Sequence, residues 1–195
     1  MTANVRYDKA LALDLEMTCW HDDCPPPGQA AEIIEIGLAE ADLRALRVTR
    51  RESFLCQPAQ SEVTAYCTQL TGLTRERLMR EGRPLAETLN RIAKTWGGRS
   101  RPVFVWGDDL AELTRQAREQ HARTDLFPVG HDLSGMVRAI SQAQPGGPLG
   151  SGSGISVEDA LAMLGLAFEG RPHSGVDDAA NTARILIELT RRVWT

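Results

Sequence analysis

The stretch Leu11-Ala12-Leu13-Asp14-Leu15-Glu16-Met17-Thr18-Cys19-Trp20 decides the fold, because it is an apolar strand that ends in two acids. Successive side chains of a strand point to opposite faces, so Asp14 and Glu16 share one face. Unpaired buried carboxylates cost several kcal/mol each, so the pair needs basic partners, hydrogen bonds, protons or a cation. We interpret it as a candidate magnesium or manganese site, since these ions prefer carboxylate and water ligands. A strand end with solvated acids is the alternative.

The composition of the 195-residue chain is typical of a soluble protein, and its length favours one domain over residues 1–195. No apolar run reaches the roughly 18 residues that span a bilayer. Residues 1–9 lack the pattern of a secretory signal, so we expect a cytoplasmic protein without membrane partners. The net charge of -4 argues against coating of long nucleic acid. It is compatible with an enzyme that holds one strand end through metal ions.

The four cysteines do not follow a paired zinc-binding spacing. Cys19, His21 and Cys24 could supply three zinc ligands, but no fourth ligand is evident in the sequence. Without an export signal, free thiols are favoured over disulfides.

The order of the predicted elements indicates an α/β fold. Strands are predicted over residues 11–20, 32–40, 47–56, 102–107 and within 126–133. Helices are predicted over residues 61–70, 74–80, 84–96, 109–117, 136–140, 156–164 and 179–194. Short connections between the first three strands suggest an antiparallel meander. A flexible Gly/Ser/Pro loop is predicted at about 144–154, as an insertion within one domain, because the residues that follow are too few for a second core.

Acids also end the strand at residues 102–107, where Asp108 and Asp109 follow directly. Sites in α/β proteins are built at strand ends. Helix capping explains one of these two acids and leaves the other to be accounted for.

The last helix is preceded by a third group of polar residues, in which His173 is followed by Asp177 and Asp178. An imidazole and a carboxylate can converge at such a helix start. The alternative is a surface histidine followed by Asp177 as an N-cap.

Taken in order, these three sequence motifs resemble those of the DEDD superfamily of 3′-to-5′ exonucleases, in the DEDDh branch, whose third motif carries a histidine. Within this branch, the amino-acid sequence is most similar to that of the enhanced-RNAi-type exonucleases, over about residues 10–190. The matching segments are Asp14-Leu15-Glu16-Met17-Thr18-Cys19-Trp20, Glu32-Ile33-Ile34-Glu35-Ile36-Gly37 and His173-Ser174-Gly175-Val176-Asp177-Asp178-Ala179-Ala180-Asn181-Thr182-Ala183-Arg184. The resemblance implies a ribonuclease H-like mixed sheet flanked by helices, with an antiparallel meander followed by parallel strands.

By resemblance, Asp14, Glu16 and Asp178 match the family's metal-binding acids, and His173 matches its general base. Two Mg²⁺ or Mn²⁺ ions would assist the attacking water and the leaving 3′ oxygen. The unperturbed histidine pKa of about 6.5 suits proton transfer near neutral pH. Asn181, on the same helix face as Asp178, is expected to orient that carboxylate.

The second motif departs from the family pattern. Relatives often show Gly-Asp-aromatic-Asp, whereas this chain has Gly107-Asp108-Asp109-Leu110, which is one residue short. Asp109 is favoured as the metal ligand because Leu113 then takes the place of the family's inward leucine. Asp108 remains the alternative, and if neither acid reached the metal, activity would be compromised.

Substrate contacts are also implied by the resemblance. The backbone at Met17 and Thr18 would line the pocket for the terminal nucleotide, and Trp20 or Trp106 would stack on a base. Each tryptophan could equally belong to the core. The chain has no separate RNA-binding motif, so we expect a short single-stranded 3′ end as substrate.

The sequence therefore predicts a metal-dependent 3′-to-5′ exonuclease that acts on single-stranded RNA 3′ ends, with DNA as a further substrate, and releases nucleoside 5′-monophosphates. A DNA proofreading or repair exonuclease is the enzymatic alternative. A catalytically inactive exonuclease-fold regulatory module is the alternative from another class, and the irregular second motif is the feature that favours it.

Overall fold

A mixed five-stranded sheet organises the chain. The computed structural model describes residues 5–22, 24–143 and 154–194. The strands are β1 (Lys9–Met17), β2 (Ile33–Asp42), β3 (Arg47–Leu55), β4 (Val103–Val105) and β5 (Gly130–Asp132), in the order β3-β2-β1-β4-β5. β1, β2 and β3 are antiparallel neighbours, whereas β4 is parallel to β1 and β5 is parallel to β4. The predicted α/β class and the meander followed by parallel strands are confirmed.

Helices cover both faces of the sheet. In the described ranges they are α1 (Ala65–Thr71), α2 (Arg75–Glu81), α3 (Leu85–Trp96), α4 (Asp109–Glu119), α5 (Leu133–Ala143), α6 (Val157–Met163) and α7 (Gly175–Trp194). The side chains of Thr64, Thr74 and Ser156 cap α1, α2 and α6 by accepting a bond from a first-turn amide. Within this part of the chain, no helix combines the length and apolarity that crossing a bilayer requires.

The alternation of β1 separates the two faces of the sheet. Leu11, Leu13 and Leu15 pack with α3 and α4 in the largest core cluster. Ala10 and Ala12 face the other side, where they pack with residues of α5, α6 and α7. Asp14 and Glu16 continue this second row, so they lie on the face covered by α7.

Several predicted boundaries are wrong by a few residues: α1 begins at Ala65 rather than residue 61, β4 ends at Val105 rather than residue 107, and two further differences lie at the site. β1 ends at Met17 rather than Trp20, because its register with β2 shifts there and Thr18 binds Glu32 through both its amide and its hydroxyl, each at 2.9 Å. α7 begins at Gly175, before the predicted residue 179, because the Ser174 carbonyl already accepts first-turn amides. Residues 144–153 of the predicted loop at 144–154 lie outside the described residues.

The start of α7 lies unusually close to β2. A Cβ atom placed on Gly37 would lie 1.9 Å from the carbonyl oxygen of Gly175. Real side chains do not tolerate such a distance, and the obstructing atom belongs to the backbone. Glycine at position 37 is therefore required for α7 to reach the sheet.

We expect Gly37→Ala to lower the free energy of unfolding by about 3 kcal/mol, because helix and strand must separate to admit one methyl group. Denaturant unfolding measures this change. Ser53, the exposed cross-strand partner of Gly37 on β3, provides the control, since Ser53→Ala should change stability by less than about 0.5 kcal/mol. Equal stability of the two variants would contradict the close approach.

Candidate active site

Three acids from distant parts of the chain meet at the end of β1. One carboxylate oxygen from each of Asp14, Glu16 and Asp178 lies within 4.8 Å of the others. Asp14 and Glu16 come from β1, and Asp178 comes from the first turn of α7. Glu16 and Asp178 are buried, with exposed fractions of 8% and 9%. The structure thus brings together the first and third sequence motifs.

Asp109 borders this cluster, whereas Asp108 does not. The Asp109 carboxylate accepts a hydrogen bond from the Leu15 amide at 3.2 Å, so it lies against β1 between Asp14 and Glu16. Its negative charge also raises the pKa of Asp14, after the larger effect of burial. Asp108 precedes α4 and is exposed.

The turn before α4 is held by a residue that the sequence analysis missed. Gly107 has a φ of 76°, and its amide donates to the Asp132 carboxylate at 3.0 Å. Asp132 ends β5 and also accepts bonds from the amides of Ser134 and Gly135 at the start of α5. One carboxylate thereby ties β5, α5 and the turn that carries Asp109 together.

Burial and mutual repulsion make the clustered acids hard to ionise. The pKa of Glu16 rises to about 8, and burial is the main cause, followed by the negative charges of Asp178 and Glu35. Burial also raises the pKa of Asp109 and of Asp178 to about 7. The pKa of Asp14 is raised well above its usual value for the same reason. Such a site is short of positive charge, which a divalent cation would supply.

His173 lies two residues before α7, with a φ of 59° and an exposed side chain. The neighbouring Ser174 amide donates to the Asp178 carboxylate at 3.1 Å, which ties the histidine loop to the acidic cluster. The His173 side chain is exposed to solvent, and its neighbour in the chain contacts the cluster.

Asn181 does not have the predicted role. Its side-chain amide donates to the carbonyl of Glu169 at 2.8 Å, and its oxygen accepts from the Glu169 amide at 3.1 Å. It also donates to the Asp177 carbonyl, so its hydrogen bonds hold the loop before His173 rather than the Asp178 carboxylate. The prediction failed because it considered helix neighbours alone.

Asp177 is not the N-cap of α7 either, since Ser174 precedes the helix and its carbonyl accepts the Asp177 amide at 2.8 Å. The Asp177 carboxylate instead accepts from the Arg171 amide at 3.1 Å and from the Arg51 guanidinium at 3.0 Å. It therefore connects β3 to the loop that leads to His173.

The predicted nucleotide-contacting residues differ in their surroundings. Thr18 is 1% exposed and its hydroxyl binds the Glu32 amide. Met17 receives a bond to its sulfur from Gln116. Trp20 is partly exposed, and its buried indole nitrogen has no hydrogen-bond partner among the residues that the structure describes. Trp106 packs against the core that lies between the sheet and helices α5, α6 and α7, and its indole nitrogen donates to the Ile155 carbonyl at 2.8 Å. These contacts agree with the alternative that Trp106 belongs to the core.

The zinc alternative receives no support from the described residues. Across residues 5–22, 24–143 and 154–194, the cluster of Asp14, Glu16 and Asp178 is the group of metal-ligating side chains that could hold an ion. Cys19 and Cys24 belong to no such group in this part of the chain.

A protein-family model described as Exonuclease, of the RNase T type, matches residues 11–186. The chain belongs to this exonuclease family. Snipper, a 3′-5′ exonuclease of Drosophila melanogaster, is 26% identical over 207 residues, covering 95% of this chain and 70% of Snipper. Human ERI1 exoribonuclease 3 is 27% identical over 197 residues, covering 96% of this chain and 55% of the relative. The chain thus spans about half the length of that relative.

Solved structures of the family share the fold. The nuclease domain of 3′hExo, a DEDDh family member bound to rAMP, superposes with a TM-score of 0.77 at 20% identity, covering 97% of this chain and 95% of that one. Escherichia coli exonuclease I in complex with a dA16 oligonucleotide gives a TM-score of 0.70 at 17% identity, covering 95% of this chain and 41% of that one. The predicted exonuclease family and the predicted ribonuclease H-like fold are confirmed.

We expect the metal-free protein to lose stability as pH rises from about 5 to 8. The clustered acids have pKa values near 7 to 8 when folded and about 4 when unfolded, so the folded state holds more protons across this range. The free energy of unfolding therefore falls with rising pH until the cluster is fully ionised. Denaturant unfolding at several pH values measures this.

Mn²⁺ should restore the lost stability at about pH 8, because metal binding requires the ionised carboxylates. Asp14→Asn should flatten both the pH dependence and the response to Mn²⁺. A gain in stability of the metal-free protein between about pH 5 and 8 would contradict the raised pKa values.

Proposed function

We propose that the protein is a metal-dependent 3′-to-5′ exonuclease that hydrolyses single-stranded nucleic acid and releases nucleoside 5′-monophosphates. The observation that carries this proposal is the meeting of Asp14 and Glu16 from the first strand with Asp178 from the last helix, beside Asp109. Family membership from residue 11 to 186 supports it, and also supports one exonuclease domain over residues 1–195.

The donor set fits two Mg²⁺ or Mn²⁺ ions. All the candidate ligands are carboxylates, which hard divalent cations prefer, and their raised pKa values reflect unbalanced negative charge. We assign Asp14, Glu16, Asp109 and Asp178 as the ligands. Bound ions would supply Lewis acidity for the attacking water and for the leaving 3′ oxygen.

His173 is the proposed general base. Its loop is tied to Asp178 through the Ser174 amide, and its side chain is exposed. An imidazole accepts a proton readily near neutral pH, which suits removal of a proton from the attacking water.

RNA is the proposed substrate. The curated relatives include proteins named exoribonucleases, which favours RNA, whereas one similar fold is solved with rAMP and another with a DNA oligonucleotide. Met17 is the last residue of β1, Thr18 and Trp20 follow it, and these residues would line the pocket for the terminal nucleotide. Trp106 is a weaker candidate for stacking, because the core and Ile155 already engage it.

The inactive regulatory module is less well supported. It depends on the shortened second motif, yet the Asp109 carboxylate still reaches β1 through the Leu15 amide. This contact supports Asp109 as the acid that the second motif supplies.

Replacing the two adjacent acids separately tests the site. We expect Asp109→Asn to lower the rate of shortening of a labelled RNA oligonucleotide about a hundredfold or more in Mn²⁺, because a metal ligand is weakened. Asp108→Asn is the matched control and should keep most of the wild-type rate. A chelator should abolish the wild-type activity. The opposite ranking of the two variants would assign the ligand role to Asp108, and chelator-resistant activity would contradict the metal-dependent mechanism.

Matched RNA and DNA oligonucleotides test the sugar preference. We expect kcat/KM for RNA to exceed that for DNA about tenfold, the effect of roughly one hydrogen bond to the 2′-hydroxyl. Equal rates would indicate an enzyme that ignores the sugar, and faster DNA hydrolysis would support the proofreading or repair alternative.

A further inference from the structure

Glu35 is a buried acid at the active site that the motifs do not account for. It lies on β2 directly opposite Glu16, on the face covered by α7, and is 4% exposed. Its negative charge acts on both Asp14 and Glu16 and adds to the rise in their pKa values. A fifth buried carboxylate makes the site more costly to form, so it needs a compensating role.

The carboxylate of Glu35 binds the start of α7. Its two oxygens accept hydrogen bonds from the amides of Gly175 at 3.2 Å and Val176 at 3.3 Å. These are the first two residues of a 20-residue helix. Amides in the first turn lack partners within the helix and carry the positive end of its dipole, so a carboxylate satisfies both needs.

Close packing fixes the same point of α7. A Cβ atom on Gly175 would lie 3.3 Å from the carboxylate carbon of Glu35, and a Cβ atom on Gly37 would collide with the Gly175 carbonyl. The helix start therefore rests on β2 through one pair of hydrogen bonds and one backbone contact. Neither can shift without moving the other.

The third motif takes its position from this helix start. Asp178 lies three residues after Gly175, within the first turn, and His173 lies two residues before it. The Ser174 amide links the two by donating to Asp178. A displacement of Gly175 would move the proposed metal ligand and the proposed base together, away from Asp14 and Glu16.

We propose that Glu35 is a positioning residue of the active site, whose carboxylate fixes the start of α7 and thereby sets Asp178 and His173 against the two acids of β1. This inference rests on the proposed function of that site. It assigns Glu35 neither a metal nor a substrate contact, since its two oxygens already bind helix amides.

Two substitutions distinguish the effect of the side-chain length of Glu35 from the effect of its charge. Glu35→Gln keeps the length, but its amide group cannot accept a bond from one of the two helix amides. Glu35→Asp keeps the charge, but it is one methylene too short to hold both amides at the observed distances. If Glu35 positions Asp178 and His173, both variants should bind Mn²⁺ about tenfold more weakly than the wild-type protein, as is typical when a residue that supports a metal ligand is changed.

Asp42 provides the matched control at the far end of the same strand. Its carboxylate also accepts two backbone amides, those of Arg44 at 3.0 Å and Ala45 at 2.8 Å. Both amides bind one oxygen, so Asp42→Ala, which removes that oxygen, should lower the melting temperature without changing Mn²⁺ affinity or kcat. The control therefore separates a general loss of stability from a specific effect on the site.

The experiment measures Mn²⁺ binding by calorimetry, melting temperature, and kcat and half-saturating Mn²⁺ on a labelled RNA oligonucleotide. Weaker Mn²⁺ binding and lower kcat in both Glu35 variants, with an unaffected control, supports the proposal. Normal activity of Glu35→Asp beside a defective Glu35→Gln would show that charge alone matters and would overturn it. Wild-type Mn²⁺ affinity and kcat in both variants would also overturn it.

Binding of Mn²⁺ is measured independently of turnover, so the two proposals fail in different ways. A wild-type protein that binds Mn²⁺ but degrades neither RNA nor DNA would contradict the proposed function, while the Glu35 variants would still report on positioning. If Glu35→Gln did not fold, Glu35→Asp alone would decide, since retained Mn²⁺ affinity in that variant would overturn the proposal.

Discussion

The packing of α7 against the sheet is the contact on which the site depends. Alanines on β1 and β2 face alanines on α7, and this seam of small side chains lets the helix approach the strands closely. Gly37 allows the closest approach at the helix start. If α7 lay further from the sheet, the carboxylate of Asp178 in its first turn would not reach the acids of β1. The close seam thus converts a distant position in the sequence into a neighbour of Asp14.

The carboxylates that this packing brings together repel one another. Buried carboxylates from β1, α4 and α7 face one another, and burial is the largest cause of the raised pKa values. Backbone amides offset part of this cost, since Leu15 binds Asp109 and Ser174 binds Asp178. The remaining negative charge creates affinity for cations. Local instability of the metal-free site and its capacity to bind metal therefore have the same physical origin.

Features that depend on local periodicity could be predicted from the sequence. The alternation of β1 placed Asp14 and Glu16 on one face, as the structure has them. The preference for Asp109 over Asp108 came from the family resemblance at Leu113; Leu113 does face the core and the Asp109 carboxylate contacts β1, while its role as metal ligand stays a prediction. Features that depend on long-range contacts between side chain and backbone could not. Asn181 binds Glu169 in a preceding loop, a contact that helix periodicity does not reveal. The one available signal for Glu35 was an acid within the apolar strand β2.

The turn from β4 into α4 shows how such long-range contacts place a side chain at the site. Gly107 makes this turn with a left-handed backbone that other residues rarely adopt. Asp132 on β5 holds the Gly107 amide, so the neighbouring parallel strand fixes the turn from outside. The helix can then begin at Asp109 itself, which places its carboxylate at the Leu15 amide. The position of Asp109 therefore depends on a contact from β5 as well as on the sequence of its own segment, because the sheet determines where the helix starts.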